Sequence, residues 1–261
     1  MSRSWLLTDI EMIVVWDNLF KDRLPAPLFC LYRGESAAEW SRLADAALDG
    51  LAENEDGALH DALGRIAHAD IRVTVAAFDP HSPNDPAGRV RAVGARQGAV
   101  ASLIRQLPGE TCWHSAGFQV STGAAERLPG ALVGVLPESA AGRLPDIPLV
   151  TVPTGAGVDH HFGRSPVYDS FGEADRASAS WLRHPVERRG LIETSLGSSI
   201  FGPRGIARRR IDWRDLVGDG RYAVAAAAAP IATAVDRAAL AALVAADIET
   251  VRHTMEDERR A

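Results

Sequence analysis

The stretch Ile71-Arg72-Val73-Thr74-Val75-Ala76 decides the fold class, because its branched apolar residues recur with the period of two that a half-buried strand requires. Three more extended runs follow it: Val90 to Arg96, Ala99 to Gln106 and Thr111 to Phe118. The breaks at Gln97-Gly98 and Pro108-Gly109-Glu110 are of hairpin length. Parallel strands would need crossovers of roughly a dozen residues or more, so the runs predict an antiparallel meander. Only its first connection is long. Asp79-Pro80-His81-Ser82-Pro83-Asn84-Asp85-Pro86 is rich in turn formers and stiffened by its prolines.

Helices precede this meander. Thr8 and Glu11 form a capping box, with Leu7 and Met12 placed to staple it. Met12, Val15, Trp16, Leu19 and Phe20 then share one helical face. Pro25 and Pro27 end that helix by disfavouring the α region before them, and Leu28 to Tyr32 reads as a strand. Ser36 and Glu39 open a second helix through Trp40, Leu43 and Leu51, and a third covers Leu59 to Ala67.

Beyond the meander the pattern recurs. A helix is predicted over Pro129 to Leu136, then an irregular excursion from Pro137 to Asp169 with one strand-like piece, Leu149 to Val152. Ser170 and Glu173 cap a helix that Pro185 stops. Val186 to Leu196, Ala207 to Trp213, Arg221 to Ala227 and Ile231 to Val235 read as four strands, and Asp236 caps a last helix carrying Leu240, Leu243, Val244, Ile248 and Val251 inward. The charged tail at 256–261 is expected to fray. The order predicts one α+β domain over residues 1–255. Its pseudo-repeat halves, at about 1–120 and 121–255, would contribute strands to a shared sheet.

Composition narrows the function. At 261 residues with 46% hydrophobic content the chain can bury a core. A net charge of −6 argues against nucleic-acid binding, and no apolar run approaches the length for membrane insertion. Cys30 and Cys112 form no metal or redox spacing, and the N-terminus lacks a signal-peptide block, so a cytoplasmic location is expected.

The chemical inventory is thin. Gly34-Glu35-Ser36 and Gly197-Ser198-Ser199 lack the closing glycine of a nucleophile elbow. Gly155-Ala156-Gly157 has neither a βαβ unit nor a lysine for a phosphate cradle. Asp159-His160-His161 gathers metal-ligating types, yet adjacent histidines on an extended chain point to opposite faces, so a solvated loop is the reading preferred over a metal site. Arg208-Arg209-Arg210 divides between the faces of a strand, as in a sheet with one wet side. Trp16, Trp40 and Trp181 read as core, while Trp113 and Trp213 fit either core or surface. No enzyme, cofactor or metal is expected.

Four segments together resemble the EspG family of type VII (ESX) secretion chaperones. The first is Leu7-Thr8-Asp9-Ile10-Glu11 leading to Val15-Trp16-Asp17-Asn18-Leu19 and Leu24-Pro25-Ala26-Pro27-Leu28. The others are Arg91-Ala92-Val93-Gly94-Ala95-Arg96-Gln97-Gly98, Ala131-Leu132-Val133-Gly134-Val135-Leu136-Pro137 and Val235-Asp236-Arg237-Ala238-Ala239-Leu240. The resemblance implies a central antiparallel β-sheet flanked by two helical bundles, with quasi-twofold internal symmetry. It implies a cytosolic chaperone that grips the helical tip of a PE–PPE-like or WXG-type heterodimer and keeps it soluble for export. The family's contact loop, between the second and third strands, maps to Asp79, Pro80, His81, Ser82, Pro83, Asn84, Asp85 and Pro86, acting with the C-terminal helical bundle. A homodimer is compatible with it, and a scaffold on the same fold without a secretion role is the second reading. Lys21 is the only lysine among 28 basic residues, an arginine bias that agrees with an actinobacterial origin.

Overall fold

The alternation that opens at Ile71 forms β2 (Ile71–Phe78), with Ile71, Val73, Val75 and Ala77 buried on one face. The computed structural model describes residues 3–31, 34, 36–54, 57–149 and 173–260. Around β2 the first part of the chain supplies β1 (Arg3–Leu7), α1 (Asp9–Phe20), α2 (Ala37–Asn54) and α3 (Ala58–Ala67). It continues with β3 (Val90–Gln97), β4 (Val100–Pro108), β5 (Ser115–Ala124) and α4 (Leu128–Val133). The second part supplies β6 (Ile147–Pro148), α5 (Glu173–Arg183), β7 (Val186–Leu196), β8 (Arg208–Leu216), β9 (Arg221–Ala225), β10 (Ile231–Ala234) and α6 (Arg237–Arg260).

The ten strands form one antiparallel sheet in the order β1-β5-β4-β3-β2-β7-β8-β9-β10-β6. Two four-stranded meanders thus meet along β2 and β7, from Ile71 opposite Leu196 to Phe78 opposite Arg189. Each meander is closed at its outer edge by a strand that precedes it in sequence, β1 or β6. The register sorts the side chains. Val93 and Ala95 of β3, Ile104 of β4 and Phe118 and Val120 of β5 face α1 and α3 in one core cluster. Ile71, Val73 and Val75 of β2, with Ile192, Ile211 and Trp213, face α4 and α6 on the other side.

Local chemistry fixes the helix ends. Both halves of the expected capping box are made at α1: Thr8 Oγ1 accepts from Glu11 N–H at 3.2 Å, and Glu11 Oε2 accepts from Thr8 N–H at 2.7 Å. Ser36 Oγ accepts from Glu39 N–H at 3.1 Å, and Asp236 Oδ1 from Ala239 N–H at 2.8 Å. Arg72, on the face of β2 turned toward α3, donates to the Ile66 and Ala67 carbonyls that end that helix.

Three expectations are corrected. The edge strand β1 was not foreseen, because its five residues precede the helix cap with no turn signal. Leu28 to Tyr32 forms no strand over its described residues, 28–31, since side chains rather than a ladder hold that backbone (below). The last meander strand of the first half begins at Ser115, because residues 111–114 make a turn closed by His114 N–H on the Thr111 carbonyl. The last helix, α6, runs through the charged end to Arg260. Glu258 accepts from Ser199 Oγ and Ile200 N–H, and Arg252 is paired with Glu249 and Glu256. Ser170 and residues 150–152 lie outside the described residues.

Candidate functional site

The β2–β3 connection folds on itself. Asp79 Oδ1 accepts from His81 N–H at 2.7 Å and Asp85 Oδ1 from Ala87 N–H at 2.9 Å, two Asx turns that bracket the prolines. Asp85 N–H closes on the Ser82 carbonyl at 3.0 Å. The Arg89 guanidinium then donates twice to the Pro83 carbonyl, at 3.0 and 2.6 Å, tying the tip to the start of β3. His81, Ser82, Pro83, Asn84 and Asp85 are exposed, while Asp79, Pro80 and Pro86 are half-buried at the base.

Two neighbouring segments are pinned beside the loop by the buried Gln106 and the half-buried Arg91. Gln106 of β4 grips Phe29 at both backbone groups, accepting from its N–H at 2.9 Å and donating to its carbonyl at 2.7 Å. Arg91 of β3 donates to the Phe29 carbonyl at 3.1 Å and the Cys112 carbonyl at 3.0 Å, and Leu31 N–H donates to the Trp113 carbonyl at 2.8 Å. The Phe29 and Trp113 rings meet edge to face at 5.9 Å, with Trp113 still 55% exposed. Rigidly held exposed aromatic rings are the usual anchors of protein interfaces. The Cys30 thiol between them is pushed up to about 11, first by burial and then by the Asp9 charge, so it is not an activated nucleophile.

The loop stands at one end of a groove of about 760 Å³. On the sheet face that carries α1 and α3, those helices cover the β3–β5 side, and α5 covers the far side by packing Trp181 against Tyr222. The strip between is uncovered by any described helix. Phe78, Leu191 and Val224 supply its apolar floor, Pro27 stands on one side, and Leu149, Leu182 and Pro230 stand on the other. Arg189 and Arg214, direct neighbours across β7 and β8, lie over the Phe78 and Trp181 rings at 4.8 and 4.6 Å. Arg210 is matched in a two-bond pair with Asp212, both bonds at 2.8 Å. A groove with an apolar floor and charged side chains along it suits a protein segment. Among its described residues nothing aligns a nucleophile with a base.

The sequence-predicted residues Asp79 to Pro86 all fall in one loop, which adjoins the groove through Arg89. The groove itself and the Phe29–Trp113 pair went unread. Trp181 was correctly placed in a core, but nothing in its spacing told that Leu182, next to it, is 47% exposed over an open strip. Trp113 proves to be surface and Trp213 core. Arg208 and Arg210 are exposed on one face, while Arg209 on the other pairs with Asp247 of α6 at 3.1 Å. Asp159-His160-His161 lies outside the described residues, and among those described no three His, Cys, Asp or Glu side chains gather to hold a metal ion.

A profile of the EspG family matches residues 8–246, from the capping box of α1 well into α6. The chain belongs to the EspG family. Among solved structures it is similar to the type VII secretion system chaperone EspG5 of Mycobacterium tuberculosis, determined in complex with the PE25–PPE41 dimer. The TM-score is 0.56 at 12% identity, with 97% of this chain and 96% of that chain covered. At such identity the likeness is one of fold. No curated protein matches the chain. For this member of the EspG family, the loop and the groove form a continuous surface at the meeting line of its two meanders. No helix among the described residues is long and apolar enough to cross a membrane.

Proposed function

We propose that this EspG-family protein is a cytoplasmic, non-catalytic chaperone of type VII secretion that holds a helical PE–PPE-type dimer by its tip and keeps it soluble before export. One observation carries this reading: a pre-folded loop, an exposed aromatic pair and a groove left open by the described residues converge on one surface of a chain whose fold matches EspG5 nearly end to end. Helical pairs with apolar tips self-associate unless covered, and a groove flanked by fixed anchors covers such a tip at little conformational cost. A shorter WXG-type helical pair would fit the same surface, and a homodimer through another face is compatible with it.

The architecture supports quasi-twofold halves within one domain over residues 1–255, since strands β1 to β5 and β6 to β10 take mirrored places in the sheet order. In this reading α1 to α3 form one bundle, and α4 with α6, on the opposite face of the sheet, the other.

The test is co-expression with the PE–PPE-type pairs of the source organism, followed by affinity capture through a tag on the chaperone. The partner pair is expected to co-purify in stoichiometric amount. Replacing Pro83-Asn84-Asp85 by Gly-Ser-Gly keeps a backbone carbonyl for Arg89 but loosens the tip, so partner affinity should fall by about tenfold with little change in melting temperature. Unchanged affinity in a titration of the purified variant removes the loop from the interface.

A further inference from the structure

The groove carries a charge pattern opposite to that of the molecule. The chain has a net charge of −6, yet among the described residues five arginines and a single carboxylate line this strip. Arg210 is neutralised by Asp212. Arg89 and Arg91 spend their donors on the carbonyls of Pro83, Phe29 and Cys112, which leaves their charge unmatched. Arg189 and Arg214 make no ion pair among the described residues, and each is stacked on an aromatic ring instead.

We propose that the groove is a seat for an acidic, apolar segment of a protein partner, a helix tip whose Asp or Glu carboxylate bridges Arg189 and Arg214 while its large apolar side chain enters between Phe78, Leu191 and Leu182. The inference rests on the chaperone reading above and names the chemistry of the client. Two like charges on adjacent strands repel, and cross-strand pairs of this kind are destabilising unless an anion joins them. Burial, and then the Arg189 charge, pull the Arg214 guanidinium below its ordinary range, and the charge of Asp212, already paired with Arg210, offsets this only in part. Arg91 is lowered for the same reasons, by burial and by Arg89. Stacking over Phe78 and Trp181 fixes both guanidinium planes, so two forked donors are held ready for a carboxylate. A partner carrying only apolar groups would cover the half-buried Arg89, Arg91 and Arg214 and the exposed Arg189 without matching their charge, which selects against it.

The pair can be tested without any client. Titration of the full chain with 4-phenylbutyrate, read by ligand-observed NMR, is expected to show saturable millimolar binding, and 4-phenylbutylamine, with the opposite charge, none. The double variant Arg189→Gln, Arg214→Gln should weaken the carboxylate by about tenfold or more, and Arg189→Lys, Arg214→Lys by less, because charge is kept while the fork is lost. The lysine variant also keeps the test valid if the glutamine variant folds poorly. Equal binding of acid and amine, no binding of the acid, or full binding by the glutamine variant overturns the proposal. So does a concentration-dependent dimer that the glutamine variant dissolves, which gives the groove to a second copy. A client complex whose affinity ignores both variants sinks this inference and leaves the chaperone reading standing. Carboxylate binding without any PE–PPE complex does the reverse.

Discussion

Replacing Asp215 with alanine is expected to lower the unfolding free energy by about 3–5 kcal/mol, or roughly 10 °C in melting temperature. Its carboxylate receives two bonds from Arg221, at 2.7 and 2.9 Å, and the two side chains are only 5% and 2% exposed. Arg221 also donates to the Pro137 carbonyl at 2.9 Å and stacks over Trp213 at 4.6 Å. Without Asp215 the guanidinium is stranded in a core, and a buried charge left unpaired costs more than the pair itself contributes. The double replacement Asp215→Leu with Arg221→Met should therefore recover most of the loss. Chemical unfolding of the three proteins checks this, and a single variant as stable as the wild type contradicts it.

The second large effect concerns the line where the meanders meet. Trp213→Ala is expected to cost about 3–5 kcal/mol, while Trp213→Phe costs less than about half of that. Trp213 is fully buried on the α4–α6 side and packs over Gly190, where a Cβ would come within 2.6 Å of both the indole and the Ala76 carbonyl. Its ring thus occupies the space that Gly190 leaves open, directly behind the groove floor. The indole N–H has no hydrogen-bond partner among the described residues, so phenylalanine abandons none of their bonds and forfeits only packing. Equal losses for phenylalanine and alanine, measured by denaturant midpoints, would point to a hidden polar role for the indole.

Much of this fold was legible because its signals are local. The capping box at Thr8, the alternation from Ile71 and the hairpin break at Gln97-Gly98 each fix an element without help from tertiary contacts. The strand Val186 to Leu196 was read to the residue because Pro185 and Gly197 bound it. What failed depended on distant partners. β1 exists because Arg3 to Leu7 pairs with residues 118–122, a contact no window of sequence contains. The run at 28–31 has strand-like composition, but Gln106 and Arg91 capture its backbone first. The same distinction governs the site. Proline and Asx chemistry mark the 79–88 loop within ten residues, whereas the groove is assembled from β2, β7, β8 and α5, separated by over a hundred positions. Arginine bias in the sequence also concealed the groove, since Arg189 and Arg214 differ from Arg208, Arg209 and Arg210 in making no ion pair among the described residues.

The central claim is that a helical secretion client is held by the β2–β3 loop and the adjoining groove. Hydrogen–deuterium exchange of the chain alone and in complex with its PE–PPE-type pair tests this most directly. The account predicts slowed exchange in residues 79–88 and in the groove strands around Arg189 and Arg214, with the β7–β8 connection at the opposite end of the sheet unchanged. Protection confined to residues 197–206, or a complex that leaves the loop and groove as they are in the free protein, would contradict it.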